Sequence, residues 1–160
     1  MNPMSSETHD REIRVERVLS APPPLVFHVW LDQRHVSKWW GPIGFTTTTH
    51  EIDVRPGGVW RYTMHGPDGR DYRNRIVFEV VEPPSRLVYR HEPEAGDEPV
   101  SHTTYVTFDA IGDDQTRVTL RGVFATPEAL RHVVETYGAA VGAQQTMDRF
   151  VAMVAEVTAS

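Results

Sequence analysis

Val59–Val81 reads VWRYTMHGPDGRDYRNRIVFEVV. Before the turn, Trp60, Tyr62 and Met64 share one parity while Arg61 and Thr63 take the other. After it, Tyr72, Asn74, Ile76, Phe78 and Val80 alternate with Asp71, Arg73, Arg75 and Glu79. Successive strand side chains point to opposite faces, so each run is a strand with one apolar and one charged face. Gly66-Pro67-Asp68-Gly69 between them is a turn, because glycine supplies unusual backbone angles and proline fixes its own. A sheet with one wet face is the antiparallel kind, in which hairpins replace crossover helices.

The same pattern extends on both sides. Upstream, Phe45 to Val54 is rich in Thr, Ile and Val, and Pro56-Gly57-Gly58 turns it into the next strand. Downstream, Pro83-Pro84 stops the strand, Arg86 to Glu92 starts another, and Glu94 to Glu98 is an acidic loop. Val100 to Ala110 and Thr116 to Phe124 are two more strands, split by Gly112-Asp113-Asp114. Ahead of this meander, Glu12 to Val18 alternates as a strand and Ser20-Ala-Pro-Pro-Pro ends it. A short helix is expected from Pro23, with Leu25, Val26, Val29 and Trp30 at helical spacing. A second covers Gln33 to Trp39 and ends at Gly41-Pro42. The period then changes for good at Thr126-Pro127-Glu128, which reads as a cap, a first-turn proline and a first-turn acid. Leu130, Val134, Tyr137, Val141, Met147, Val151 and Val154 follow, and no proline interrupts them. One helix of about 28 residues, some 42 Å long, is expected. The fold class is α+β: six to seven antiparallel strands curved around one long C-terminal helix, with two short helices after the first strand. Residues 1–10 are expected to be an unstructured tail and 11–160 a single domain.

Composition narrows the function. The chain has 160 residues, no cysteine, a net charge of −6 and a single lysine, Lys38. Missing cysteine excludes disulfides, thiolate metal sites and thiol nucleophiles. Net negative charge argues against a general nucleic-acid binder, which needs a basic face to replace counterions. The longest stretch without formal charge, Val18 to Leu31, is interrupted by three prolines and is too short for a membrane span. No secretory h-region precedes it, so a cytoplasmic protein without membrane insertion is expected. His65, His91 and His102 fall on strands without H-x-H or H-E-x-x-H spacing, so no metal site is expected. There is no G-x-S-x-G elbow and no phosphate loop, and no residue is assigned a catalytic role or a cofactor.

Four motifs in order, Trp39-Trp-Gly-Pro42, Glu51 to Trp60 (EIDVRPGGVW), Gly66 to Gly69 and Val81 to Val88 (VEPPSRLV), with Gly142 to Phe150 (GAQQTMDRF) in the terminal helix, resemble the activator of heat-shock-protein-90 ATPase homologue family. The resemblance spans roughly residues 11 to 157 and implies the START-like, or SRPBCC, helix-grip fold of the birch-pollen allergen, with a cavity between sheet and helix. Superfamily members include lipid carriers, hormone receptors, cyclases and hydrolases, so the fold alone leaves the activity open.

The expected ligand is a small hydrophobic or amphipathic molecule held in that cavity. Parity assigns Trp60, Tyr62, Tyr72, Asn74, Phe78, Tyr89, His91 and Phe108 to its sheet side. Trp39 and Trp40 are placed at its rim, and Tyr137, Val141 and Gln145 on the helix side. Asn74, His91, His102 and the tyrosine hydroxyls are the informative members, because each buried polar group needs a partner, a water or a ligand. An enzyme of cyclase, dehydratase or hydrolase type using Tyr62, Tyr72, His91 and Arg90 is the alternative. A chaperone-ATPase co-regulator is the second, although the eukaryotic co-chaperone carries an additional domain for which this chain has no room. Pairing of two copies through an edge strand stays open. Gly138 and Gly142 cost about 1 kcal/mol each in a helix interior, so either close packing on the sheet or room for a ligand should offset them.

Overall fold

The computed structural model describes residues 9–93 and 102–159. A single 3-10 turn, His9–Arg11, leads into β1 (Glu12–Leu19), α1 (Pro23–Leu31) and α2 (Gln33–Trp39). The strands β2 (Thr46–Ile52), β3 (Val59–His65), β4 (Asp71–Glu82), β5 (Arg86–Pro93), β6 (His102–Ala110) and β7 (Thr116–Phe124) follow. The chain ends in α3 (Pro127–Tyr137) and α4 (Ala139–Ala159). All seven strands form one antiparallel sheet in the order β1-β7-β6-β5-β4-β3-β2. The fold class is therefore the α+β arrangement expected. The acidic segment 94–98 and residues 1–8 of the expected tail lie outside the described residues, while His9 and Asp10 enter the 3-10 turn.

Local chemistry sets the element ends. Pro23 and Pro24 occupy the first turn of α1, where their missing N–H groups cost nothing. Asp32 accepts from the Arg34 N–H and caps α2. Thr126 Oγ1 accepts from the Ala129 N–H at 3.0 Å and caps α3 as the sequence implies.

Two expectations are corrected. The terminal helix is broken: Gly138 adopts a left-handed conformation (φ +63°) and caps α3, so Tyr137 and Ala139 belong to different helices. A regular α-helix cannot continue through a left-handed residue, and the 28-residue rod becomes 11 plus 21 residues. In β4, a bulge between Phe78 and Val80 shifts the parity, so Val81 rather than Val80 packs against the core. The β2–β3 turn is docked there, with the Gly57 N–H donating to Phe78 O at 2.7 Å and the Phe78 N–H to Gly58 O at 2.9 Å.

Helix α4 lies along β1, α2 against β2, and α1 against β6. The core between them is aromatic. Trp30 meets Trp39, Phe150 and Phe108 edge-on at centroid distances of 4.9, 4.8 and 5.8 Å, and Trp60 stacks on Tyr62 at 4.2 Å. Met147, Phe150, Val26, Val29, Ile76 and Leu87 are fully buried. Thr116 Oγ1 ties β7 to the β1–α1 connection through Ala21 O at 2.7 Å. On the outer face, Arg121 of β7 and Glu12 of β1 form a buried pair at 2.8 Å. Among the described residues, no helix is long and apolar enough to cross a membrane.

Candidate functional site on the concave face of the sheet

Strand register builds the site. Following the pairings, Ile52, Trp60, Ile76, His91, His102 and Phe124 form one row across β2 to β7 on the inner face. The row is apolar at both ends and carries two imidazoles in its middle. Beside it, Tyr62 pairs with Asn74, and beyond that Met64 pairs with Tyr72. Met64, Tyr72, Asn74, His91 and His102 are all half-buried, whereas the rows deeper under the helices are buried. The inner face thus opens toward the end that carries the histidines.

His91 and His102 stack at 4.1 Å, His102 stacks on Phe124 at 4.6 Å, and Trp40 lies nearly parallel to His91 at 6.4 Å. Within the described residues, neither imidazole makes a hydrogen bond. Burial holds the His102 ring neutral, lowering its pKa to about 4. Burial, then the proximity of His102, lowers that of His91 well below the usual histidine value. At neutral pH the pair offers two N–H donors and two ring-nitrogen acceptors without charge. Asn74 donates to Tyr72 O at 3.0 Å through its amide nitrogen. Burial raises the Tyr62 and Tyr89 phenols far above their ordinary value, so both stay protonated.

The residues expected to line a cavity separate into three groups. Trp39, Trp40, Trp60, Tyr62, Phe78, Tyr89 and Phe108 are buried within the aromatic core. Together with their neighbours they leave an interior space of about 10 Å³, bounded by Trp30, Leu31, Val36, Trp40, Ile52, Trp60, Ile76, Phe78 and Tyr89. That is about enough for one water, so these side chains fill most of the room a ligand would need. Tyr72, Asn74 and His91 stand at the half-open end. Tyr137 and Val141 do not face the interior: they are 45% and 63% exposed and flank the helix break at Gly138.

The polar part of α4 is committed to structure. Gln145 Oε1 accepts from the Ile43 N–H at 3.2 Å, and the Arg149 guanidinium donates to the carbonyls of Lys38, Gly41 and Pro42 at 2.7–2.8 Å. Gln144 and Asp148 accept from Arg17 of β1. A Cβ on Gly142 would lie 3.2 Å from the Pro42 ring, so this glycine permits close approach to the α2–β2 loop and not to the sheet. These contacts pin the loop that carries Trp40, the wall of the half-open end.

The other histidines lie elsewhere. His65 of β3 joins Thr48 through Nε2 and Asp71 through Nδ1, both at 2.8 Å. The order hydroxyl, imidazole, carboxylate is that of a nucleophile relay, but the chain lies on the convex face with His65 39% and Asp71 59% exposed, where water screens it. His28 bonds Asp32 at 3.0 Å. No group of three or more His, Cys, Asp or Glu able to hold a metal occurs among the described residues. Sequence reading missed Leu31, Trp30 and the groove beside them, described below. Pro83-Pro84 signalled only a strand end, and nothing local marks the surface it meets.

Similarity searches agree with this architecture. The model of the family described as "Activator of Hsp90 ATPase homolog 1-like protein" matches residues 20–155. The chain superposes on a solution structure of a protein from Arthrobacter aurescens with a TM-score of 0.84 at 24% identity, covering 92% of this chain and 88% of that one. A crystal structure from Nitrosomonas europaea gives 0.82 at 21% identity, covering 94% and 98%. One from Mycobacterium smegmatis gives 0.76 at 25% identity, covering 91% of each chain. A comparison with curated proteins finds no match. With the family pattern spanning strand, helix and sheet alike, the chain belongs to the activator of Hsp90 ATPase homolog 1-like family.

Proposed function

We propose that this domain binds a small, uncharged, mostly apolar molecule at the half-open end of its concave face, against Trp40 and the His91–His102 pair. The observation that carries the reading is two stacked, neutral imidazoles, without hydrogen bonds among the described residues, set in an otherwise apolar row. Polar groups in such positions are ordinarily satisfied, and a ligand oxygen or nitrogen would satisfy them here. The half-buried Tyr72 ring suits a flat apolar body, and Asn74 adds a second polar contact. A ring that stays neutral down to about pH 4 is a weak base, which favours binding over proton transfer at neutral pH. A mostly filled interior supports binding at this mouth over binding deep under the helix.

Native mass spectrometry of freshly purified protein tests the reading, followed by a thermal-shift screen of uncharged aromatic alcohols and ketones. A copurifying adduct, or a hit whose shift is lost in Asn74→Leu with His91→Phe, supports it. No adduct, and hits that survive both substitutions unchanged, would overturn it.

A further inference from the structure

A second opening lies on the opposite side of the core. Pro24, Phe27, His28, Leu31 and Asp32 of α1 and its end, Val54 of the β2–β3 connection, and Pro83-Pro84 of the β4–β5 turn enclose an open groove of about 530 Å³. That volume falls in the range of small-molecule sites, which are mostly apolar with a few polar groups. Leu31 lines both this groove and the interior space of about 10 Å³. Tyr89, another lining residue of the interior space, is 2% exposed, and among the described residues its hydroxyl meets no partner in hydrogen-bond geometry, with the Trp30 indole beside it. Half-buried Leu31 therefore borders both the apolar surface groove and the interior space that Tyr89 lines.

We propose that the groove is a second binding site, entered past Leu31, for a neutral molecule with an apolar chain and one terminal carbonyl or hydroxyl oxygen. The chain would lie along Phe27, Val54 and Pro83, and the oxygen would accept a hydrogen bond from the Tyr89 hydroxyl. Three features choose this ligand class. The walls are apolar, so the body is apolar. Burial keeps the Tyr89 phenol protonated, so it donates and the ligand must accept. The rim carries the Asp32 carboxylate, held ionised by its hydrogen bonds to Arg34, which repels an anionic head. His28 already donates to Asp32 and leaves a single ring nitrogen at the mouth. This site is distinct from the one at His91 and His102 and stands or falls separately from it.

The test uses isothermal titration with three probes of equal chain length: 2-decanone, decane and decanoate. The ketone is expected to bind about fivefold or more tightly than the alkane, the net value of one buried hydrogen bond, and decanoate more weakly than the ketone. Leu31→Ala is expected to tighten ketone binding, and Leu31→Trp to abolish it. Tyr89→Phe is expected to erase the preference for ketone over alkane. Val54→Trp, on the wall supplied by the β2–β3 connection, blocks the groove from a different element and guards against a Leu31 variant that fails to fold. Ketone binding indifferent to both Val54→Trp and Leu31→Ala, or an unchanged preference in Tyr89→Phe, overturns the proposal. If the ketone instead responds to Asn74→Leu with His91→Phe, the concave-face site stands and the groove does not.

Discussion

The two ends of the same sheet face follow one parity and yet differ in content. Under α1, α2 and α4, the row of Phe78, Tyr89 and Thr104 and the indoles above it are buried. Four residues along β4 from Phe78, Asn74 is half-buried, as are Tyr72 two residues further and Met64 opposite it, and in the row between, two histidines occupy places that leucine or valine would fill elsewhere. Where helices cover the sheet, tight aromatic packing is the main source of stability. Where the cover stops, neutral polar groups persist because solvent or a ligand can satisfy them. The division assigns stability to one end and, on the proposed reading, recognition to the other.

That assignment is breakable by substitution. Trp30→Ala removes the ring at the centre of the covered end and is expected to cost about 4 kcal/mol, measured by urea denaturation. A cost under about 1 kcal/mol would mean that the covered end is not the stabilising one. Arg149→Ala frees the loop bearing Trp40 by deleting hydrogen bonds to three carbonyls, and about 2 kcal/mol is expected in the same assay. At the open end the sign changes. Replacing His91 and His102 together by leucine should be neutral or stabilising by about 1 kcal/mol, because two polar groups without hydrogen bonds among the described residues give way to apolar ones. Tyr137→Ala and Val141→Ala, on the exposed helix junction, should stay within about 0.5 kcal/mol.

Acid sharpens the contrast further. His102 titrates at about 4 in the fold and near 6.5 when unfolded, so between those values the unfolded chain holds more protons. Stability therefore falls as pH drops from about 6.5 toward 4 and gains nothing from this group above 6.5. The slope is at most about 1.4 kcal/mol per pH unit for one site. Comparing urea midpoints at pH 7 and pH 4.5 for the parent and His102→Phe isolates it: the variant should lose less. Equal losses would remove burial of His102 as a cause.

How legible all this was in the sequence depends on distance along the chain. Hairpin parity placed Trp60, Tyr62, Ile76, Tyr89 and His91 correctly, because period two is a local rule. It failed at Val80, where a bulge inserts one residue and only the docked β2–β3 turn explains why. The same limitation hid the break at Gly138: a glycine tolerated in a helix and one that ends it look alike until the neighbouring packing is known. Gln145 read as polar lining, but its partner is a backbone N–H 102 residues away. The groove at Leu31 joins residues from 24 to 84 that share no pattern at all.

The most direct measurement is the response of backbone amides to 2-naphthol, an uncharged flat phenol, in two-dimensional NMR spectra of the whole chain at pH 7. Saturable shifts clustered at Tyr72–Asn74, Arg90–His91 and His102–Thr103, with Trp30, Phe78 and Phe150 still, are the result this account predicts. Shifts spread over the covered end, or none that saturate, would contradict it.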